Sequence, residues 1–259
     1  MNMNRRIYIP FLLLIVALIA TGCTEKSTVQ EIEDPQLEIF NQYSDMFKTN
    51  PKIKEIEAFL NENLENCDSK YRDPMLIAFE KYEKLKLPEN QDKLSVNLID
   101  YTELTQYDEY ASDELKSYFL ILESEYLEQD LNSEDLSGVI DRLLDKSVNV
   151  ENHLLLHRGS FTEDKMYELY VRYLYASIMN NGNYLEYAEN DSTKIDEEIL
   201  NHYQNFIDNH PDSHTASLLE RYIDLLEQND YDLESEHVKG FYFNFYTELR
   251  SFLWENKAP

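Results

Sequence analysis

Glycine and proline are scarce in this chain, with only 5 and 7 among its 259 residues. Glycine is the usual residue in tight turns and in the loops that bind phosphate groups. Sandwiches and barrels join many short strands by such turns, so the composition argues against both. Helices joined by short polar links need far less glycine. The sequence therefore predicts an all-α fold with essentially no sheet.

Cysteine is nearly absent, since the chain has only Cys23 and Cys67. If Cys23 carries a lipid, Cys67 has no partner within the chain, and we expect no disulfide. A body of this length can be stable from its apolar core alone. Cys67 is expected to be a buried or idle thiol, because neither Asn66 nor Asp68 would lower its pKa.

Basic residues are also few: 23 Lys and Arg against 51 Asp and Glu, for a net charge of −28. Nucleic-acid binding depends on cations that neutralise phosphates, so we expect no nucleic-acid partner. Cations, basic proteins and neutral molecules remain possible partners. A solvated surface that keeps the protein soluble is the simplest interpretation of this charge.

The first residues have the pattern of an export signal. Arg5 and Arg6 precede the apolar run IYIPFLLLIVALIA at residues 7–20. This run is shorter than the roughly 20 residues of a membrane-spanning helix, but it suits a signal peptide. The sequence Ala20-Thr21-Gly22-Cys23 follows directly. It resembles the lipobox that the bacterial lipoprotein signal peptidase cuts, with Ala20 in the place of the usual leucine.

The resemblance to lipoproteins implies that Cys23 becomes the lipidated N-terminus of the mature chain. Two acyl chains on a diacylglycerol would anchor it stably. We therefore expect a signal peptide at 1–22, a lipidated acidic tether at 23–34 and an all-helical extracytoplasmic domain at 35–259. The expected location is the cell membrane, with the domain lipid-anchored on the extracytoplasmic face.

Apolar residues recur at spacings of three and four along the body, which predicts a series of amphipathic helices. Short polar links predict that successive helices pack as antiparallel hairpins. The segment 162–179 is apolar on nearly every side and is expected to be central. The predicted helices are 35–47, 53–64, 74–87, 94–104, 112–126, 133–144, 149–158, 162–179, 195–207, 213–226 and 234–254, with a further turn or short helix at 184–189.

Residues 166–230 resemble a tetratricopeptide repeat, a motif of paired helices. The resemblance rests on residues 182–188 (GNYLEYA), on the apolar positions Ile199, Tyr203 and Phe206, and on the Pro-Asp-Ser turn at 211–213. The spacing exceeds the roughly 34-residue period by about a dozen residues. Tyr175 also occupies a place where the repeat has a small residue. The resemblance implies a repeat-like stack or bundle of helical hairpins.

Three groups of residues have the composition of metal sites. His153 and His157 lie four residues apart and could face one ion, but a zinc site needs two more ligands. His157 and Arg158 also precede Gly159, where a helix end attracts cations. The other two groups are His202, His210, Asp212 and His214 near a predicted turn, and the acids Asp230, Asp232, Glu234 and Glu236. The acids alternate like a calcium loop but have Ser235 and Phe241 at the positions of its glycine and glutamate.

Aromatic residues are abundant, with 20 Tyr and 12 Phe. Such residues usually form the core between helices, but a dense group can also form a stacking groove for sugars or peptides. The candidates for such a groove are Tyr167, Tyr170, Tyr173, Tyr175, Tyr184 and Tyr187.

No nucleophile motif, paired Cys-x-x-Cys or glycine-rich phosphate loop occurs in the sequence. We predict no catalytic residue, no cofactor and no metal ligand, and Cys23 as the lipidation site. The predicted function is a membrane-anchored, non-catalytic module that binds a protein or peptide. The alternatives are a ligand-binding lipoprotein for a cation or small solute, and a helical hydrolase whose carboxylates only a structure could locate.

Overall fold

The computed structural model describes residues 34–86, 99–127, 136–179 and 193–255. Within these ranges it has ten α-helices and no strand, apart from an isolated bridge between Lys194 and Asp232, and the predicted all-α fold is confirmed. The leader, Cys23 and residues 182–189 lie outside the described ranges, as do residues 94–98 of the predicted helix 94–104. The helices are α1 Pro35–Met46, α2 Ile53–Asn63, α3 Ser69–Lys86, α4 Thr102–Thr105, α5 Asp113–Leu127, α6 Leu136–Leu156, α7 Glu163–Met179, α8 Glu197–Asn209, α9 His214–Gln228 and α10 Glu236–Glu255.

Side-chain caps fix where several helices begin. Asp34 accepts a hydrogen bond from the backbone N–H of Gln36 at the start of α1. Ser213 accepts one from Ala216 at the start of α9. These contacts satisfy backbone donors that have no partner inside the helix. Asp34 and Ser213 therefore act as the starts of their helices.

Helix α3 begins earlier than predicted, at Ser69, and includes Pro74 in its interior. Proline lacks an N–H group, so the helix loses one backbone hydrogen bond there. Met75, Leu76 and Phe79 are fully buried directly after it, and this packing outweighs the loss. Asp73 caps no helix of its own, because its Oδ1 accepts from the backbone N–H of Ser112, just before α5.

The two helices predicted at 133–144 and 149–158 form one continuous helix, α6, from Leu136. Residues 133–135 lie outside the described ranges. Ser147 lies between the two predicted helices and donates its hydroxyl to the Leu144 carbonyl within α6. Buried Val150 and Leu154 continue the apolar face beyond this point. Gly159, with a φ of 71°, follows the end of the helix as predicted.

Helix α6 lies at the centre of the described fold. It packs most extensively against α7 and also contacts α5, α8 and α9. One continuous apolar core extends from Tyr43 on α1 to Leu253 on α10. Helix α7, which the sequence places at the centre, is largely buried but leaves Tyr175 half exposed. None of the described helices is long and apolar enough to cross a membrane.

A buried carboxylate joins α6 to α9. Glu151 is 2% exposed and accepts hydrogen bonds from the backbone N–H groups of His214 and Thr215, at 2.7 and 2.8 Å. It also accepts from the Thr215 hydroxyl at 2.8 Å and the Tyr170 hydroxyl at 3.3 Å. A carboxylate at a helix N-terminus is favoured by the helix dipole as well as by these donors. Glu151 therefore fixes the position of α9 against α6.

We expect Glu151→Ala to lower the free energy of unfolding by about 2–3 kcal/mol, because two backbone donors lose their partner in the interior. Chemical denaturation of the variant and the natural protein measures this loss. The control is Glu220→Ala on the exposed face of α9, expected to change stability by less than about 0.5 kcal/mol. Equal stability of the two variants would contradict the role given to Glu151.

Candidate functional site

A groove between α5 and α6 is a candidate site in the described part of the chain. It encloses about 460 Å³. One face of each helix supplies its walls, because the lining residues recur at intervals of three and four. From Asp113 to Ser124 it runs about 16 Å along α5. The residues that line it are Asp113, Lys116, Ser117, Leu120, Ile121 and Ser124 on α5, Lys146, Asn149, Asn152, His153 and Leu156 on α6, and Tyr173 on α7.

Two polar bridges hold α5 and α6 in antiparallel register across the groove. Lys146 contacts Glu125 at 2.5 Å, with both side chains mostly buried. Two turns away, Ser117 Oγ lies 3.0 Å from His153 Nδ1. Between and beside these bridges, Leu120 and Leu156 are 43% and 78% exposed. The groove therefore has polar contacts at its base and open apolar side chains at its edges.

A chain of hydrogen bonds continues from Ser117 through His153 to α5. His153 Nε2 lies 2.8 Å from Thr162 Oγ1, and Thr162 donates its hydroxyl to Glu114 Oε1 at 2.9 Å. Ser160 also contacts Thr162, at 3.0 Å. His153 itself is 1% exposed. Both of its ring nitrogens therefore have a partner in the interior.

The chain also determines where the protons lie. Thr162 uses its one hydroxyl proton on Glu114, so it can only accept from His153. Nε2 of His153 then carries the ring proton, and Nδ1 is left to accept from the Ser117 hydroxyl. Burial, followed by the nearby His157, lowers the pKa of His153 to about 4, so the ring is neutral at pH 7. A neutral ring with this proton arrangement suits both of its contacts.

The structure does not assemble the metal sites considered from the sequence. Both nitrogens of His153 bind hydroxyl groups, which leaves none for an ion shared with His157. His202 and His210 instead pair with Asp141 and Asp145 of α6, at 2.8 and 3.5 Å. Within the described ranges no group of three His, Cys, Asp or Glu side chains has the geometry to hold a metal ion.

The acidic loop before α10 is a turn between helices. Asp232 Oδ1 accepts from the backbone N–H of Glu234 at 3.1 Å. Glu234 pairs with Lys239 at 2.5 Å. Asp230 and Tyr231 have positive φ values of 53° and 61°, which close the turn. The alternating acids thus serve local hydrogen bonds, as turn residues commonly do.

Most of the tyrosines considered for a stacking groove belong to the core. Tyr167, Tyr170 and Tyr173 are at most 4% exposed. Among the tyrosines of the described ranges, Tyr173 alone lines the groove, at its base. Tyr175 is half exposed and lies elsewhere on α7, while Tyr184 and Tyr187 are outside the described residues. The base of the groove therefore offers one aromatic ring.

A second cluster of interest is acidic and lies where α2, α3 and α4 meet. Glu83 is buried at 8% exposure beside Glu103, with Glu57 nearby. Burial, and then the charge of Glu103 and a hydrogen bond to it, raises the pKa of Glu83 to about 8. Neither Glu83 Oε2 nor the Tyr107 hydroxyl has a hydrogen-bond partner among the described residues. The fold therefore keeps Glu83 protonated at neutral pH.

Glu83 makes stability depend on pH in a defined direction. Its folded pKa of about 8 lies above the ordinary value of 4.5, so its contribution is fully present below pH 4.5 and is lost as pH rises towards 8. Glu83→Gln has a neutral side chain of the same shape as the protonated acid. We expect its melting temperature to rise relative to that of the natural protein as the pH increases from 5 to 8. Thermal melts at pH 5, 6.5 and 8 measure the difference.

The control for this prediction is Glu62→Gln on the exposed face of α2. Its melting temperature should follow that of the natural protein at all three pH values. A constant difference between Glu83→Gln and the natural protein across this range would show that Glu83 does not titrate there.

The sequence gives no signal for the groove. Ser117 and His153 are 36 residues apart and belong to no recognisable motif. Their meeting depends on the antiparallel register of α5 and α6, which periodicity alone does not specify. Only the exposed leucines on otherwise amphipathic helices could have drawn attention to this surface.

Comparison with known proteins finds no matching family model, no matching curated protein and no matching solved structure.

Proposed function

We propose that this chain is a lipoprotein, anchored at the cell membrane through lipid on Cys23, whose helical domain binds a peptide segment of a partner protein outside the cytoplasm. Support for the anchor comes from the basic start, the short apolar run and the lipobox-like Ala20-Thr21-Gly22-Cys23. Support for the binding role comes from the groove between α5 and α6. These are independent arguments, and each has its own test.

The size of the groove carries the binding proposal. A length of about 16 Å accommodates about five residues of extended peptide at about 3.3 Å each. Its volume of about 460 Å³ is within the range of ordinary ligand pockets. A peptide of this size is therefore a suitable occupant.

The chemistry of the groove also suits a peptide. Leu120 and Leu156 present exposed apolar surface that a partner's side chain could cover. Asn149 and Asn152 are exposed, and their amides can both donate to and accept from a peptide backbone. Binding energy at such sites comes mainly from a few buried apolar anchors. The two leucines are the proposed anchors for this interaction.

The anchor proposal predicts the mass of the mature protein. We expect the natural chain to begin at Cys23 with a covalent diacylglycerol, and Cys23→Ala to lack this mass and to leave the membrane fraction. Intact-mass spectrometry and membrane fractionation measure both properties. Cys67→Ala, which removes the other cysteine, should keep the lipid. Membrane retention of Cys23→Ala, with no lipid lost from its mass, would refute the anchor.

The binding proposal predicts selective loss of peptide affinity. Peptides selected from a random heptapeptide library against the full-length protein should bind at least about tenfold more weakly to Leu120→Ser/Leu156→Ser, because two apolar anchors are removed. Fluorescence polarisation measures the affinity. The matched control is Leu85→Ser/Leu127→Ser, which removes two exposed leucines outside the groove. Selected peptides that bind both double variants equally would place the site elsewhere.

A further inference from the structure

The two serines that line the groove differ in what their hydroxyls contact. Ser124 donates to the carbonyl oxygen of Ile121 at 2.8 Å, as serines in helices often do. Ser117 instead lies 3.0 Å from Nδ1 of His153. Since Nδ1 is the unprotonated nitrogen of that ring, the Ser117 hydroxyl points its proton at a base. This arrangement is unnecessary for a helix, which can satisfy a serine locally.

The other side of the ring completes a relay. His153 Nε2 donates to Thr162, and Thr162 donates to the carboxylate of Glu114. A hydroxyl, an imidazole and an oriented acceptor behind it form the arrangement that activates a serine in acyl transfer. Here a threonine relays the contact to the carboxylate. The hydroxyl is half-buried and lines the groove, whereas His153 and Thr162 lie behind it, each 1% exposed.

We propose that Ser117 is a nucleophile for acyl transfer, with His153 as its general base, and that the groove accepts esters of small apolar acids. This activity goes beyond the proposed binding role, although it uses the same groove. Thr162 and Glu114 are positioning residues, because they hold the ring with its unprotonated nitrogen towards Ser117. None of these residues belongs to a sequence motif for hydrolysis.

The reaction balances with the ester and water alone. Ser117 Oγ bonds to the acyl carbon as its proton passes to Nδ1 of His153. The bond from the acyl carbon to the leaving oxygen breaks, and that oxygen takes the proton from His153 to leave as an alcohol. Water then bonds to the acyl carbon as His153 takes a proton from it, the bond from that carbon to Ser117 Oγ breaks, and His153 returns the proton to Oγ, which releases a carboxylic acid and restores Ser117.

The walls of the groove indicate the class of substrate. Leu120, Ile121 and Leu156 offer an apolar surface for the acyl group. Asn149 and Asn152 carry amide N–H groups in the same groove that can donate to the acyl oxygen. This reaction needs no metal cation and no cofactor. An uncharged ester with a short apolar acyl chain is therefore the expected substrate.

The burial of His153 limits the rate. A base with a pKa of about 4 is a weak proton acceptor, so turnover is expected to be slow. Covalent labelling is consequently a better first test than turnover, because it accumulates with time. An alkyl fluorophosphonate suits this purpose. Ser117 Oγ would bond to its phosphorus, fluoride would leave, and His153 would take the hydroxyl proton.

The experiment treats the full-length, detergent-solubilised protein with the fluorophosphonate and locates the adduct by peptide mass spectrometry. We expect one adduct on Ser117, absent from Ser117→Ala and retained by Ser124→Ala, the matched serine in the same groove. We expect His153→Asn, which can keep a hydrogen bond to Ser117 but is not a base, to be labelled at least about a hundredfold more slowly. Circular dichroism melts verify that each variant is folded.

The positioning role has its own variants. Thr162→Val should slow labelling, and Thr162→Ser should restore it, because serine again offers the acceptor to Nε2. Hydrolysis of p-nitrophenyl butyrate should follow the same order across the variants.

Several results would overturn the proposal. They are the absence of an adduct on Ser117 in the natural protein, labelling of Ser124 instead, and a folded His153→Asn variant labelled as fast as the natural protein. Peptide affinity is measured separately, so its loss or survival does not decide this test.

Discussion

The fold depends on how α6 satisfies the polar side chains it buries. Ser147, Glu151 and His153 all lie in the interior, at no more than 2% exposure. Burial of such groups costs free energy unless every donor and acceptor finds a partner. Glu151 finds its partners at the start of α9, and His153 finds them on α5 and at Thr162 before α7. Apolar packing would tolerate many arrangements of these helices, whereas these hydrogen bonds require particular residues of different helices to meet. Conformational specificity is thus the main contribution of the polar groups, and most of the stability comes from the surrounding core.

The sequence predicts the helices well because their periodicity and caps are local properties. Asp34 and Ser213 start helices as their positions suggest. The helix prediction is wrong where tertiary contacts override a local signal. Pro74 marks a helix start on propensity alone, yet the burial of Met75 and Phe79 extends α3 through it. Ser147 and Asn149 look like a break, yet α6 continues because its apolar face does. These differences have one cause, which is that burial stabilises a helix more than any single residue disfavours it.

The site could not be predicted from the sequence, because it depends on how α5 and α6 are aligned against each other. His153 is singled out in the sequence only by its spacing from His157, which suggests an ion. The structure gives both of its nitrogens to hydroxyl groups from other parts of the chain. Likewise, the 51 acids of the sequence do not reveal that Glu83 is held neutral beside Glu103, since that depends on burial between three helices. Residue type and spacing along one helix limit the kinds of contact that a side chain can make. The contact that it does make depends on a partner from another helix.

The groove itself follows from the way α5 meets α6. The contact between α6 and α7 is the most extensive between any two described helices, and buried residues of both belong to the one apolar core. Against α5, the described contacts include two polar bridges, Lys146 to Glu125 and His153 to Ser117. Polar bridges fix a separation but fill little volume, so the space between them stays open. Leu120 and Leu156 could fill such a space, but they remain exposed at its edge. The hydrogen bond between Ser117 and His153 therefore has two effects: it holds α5 against α6, and it turns the Ser117 hydroxyl towards a base. A ligand that enters the groove meets that hydroxyl.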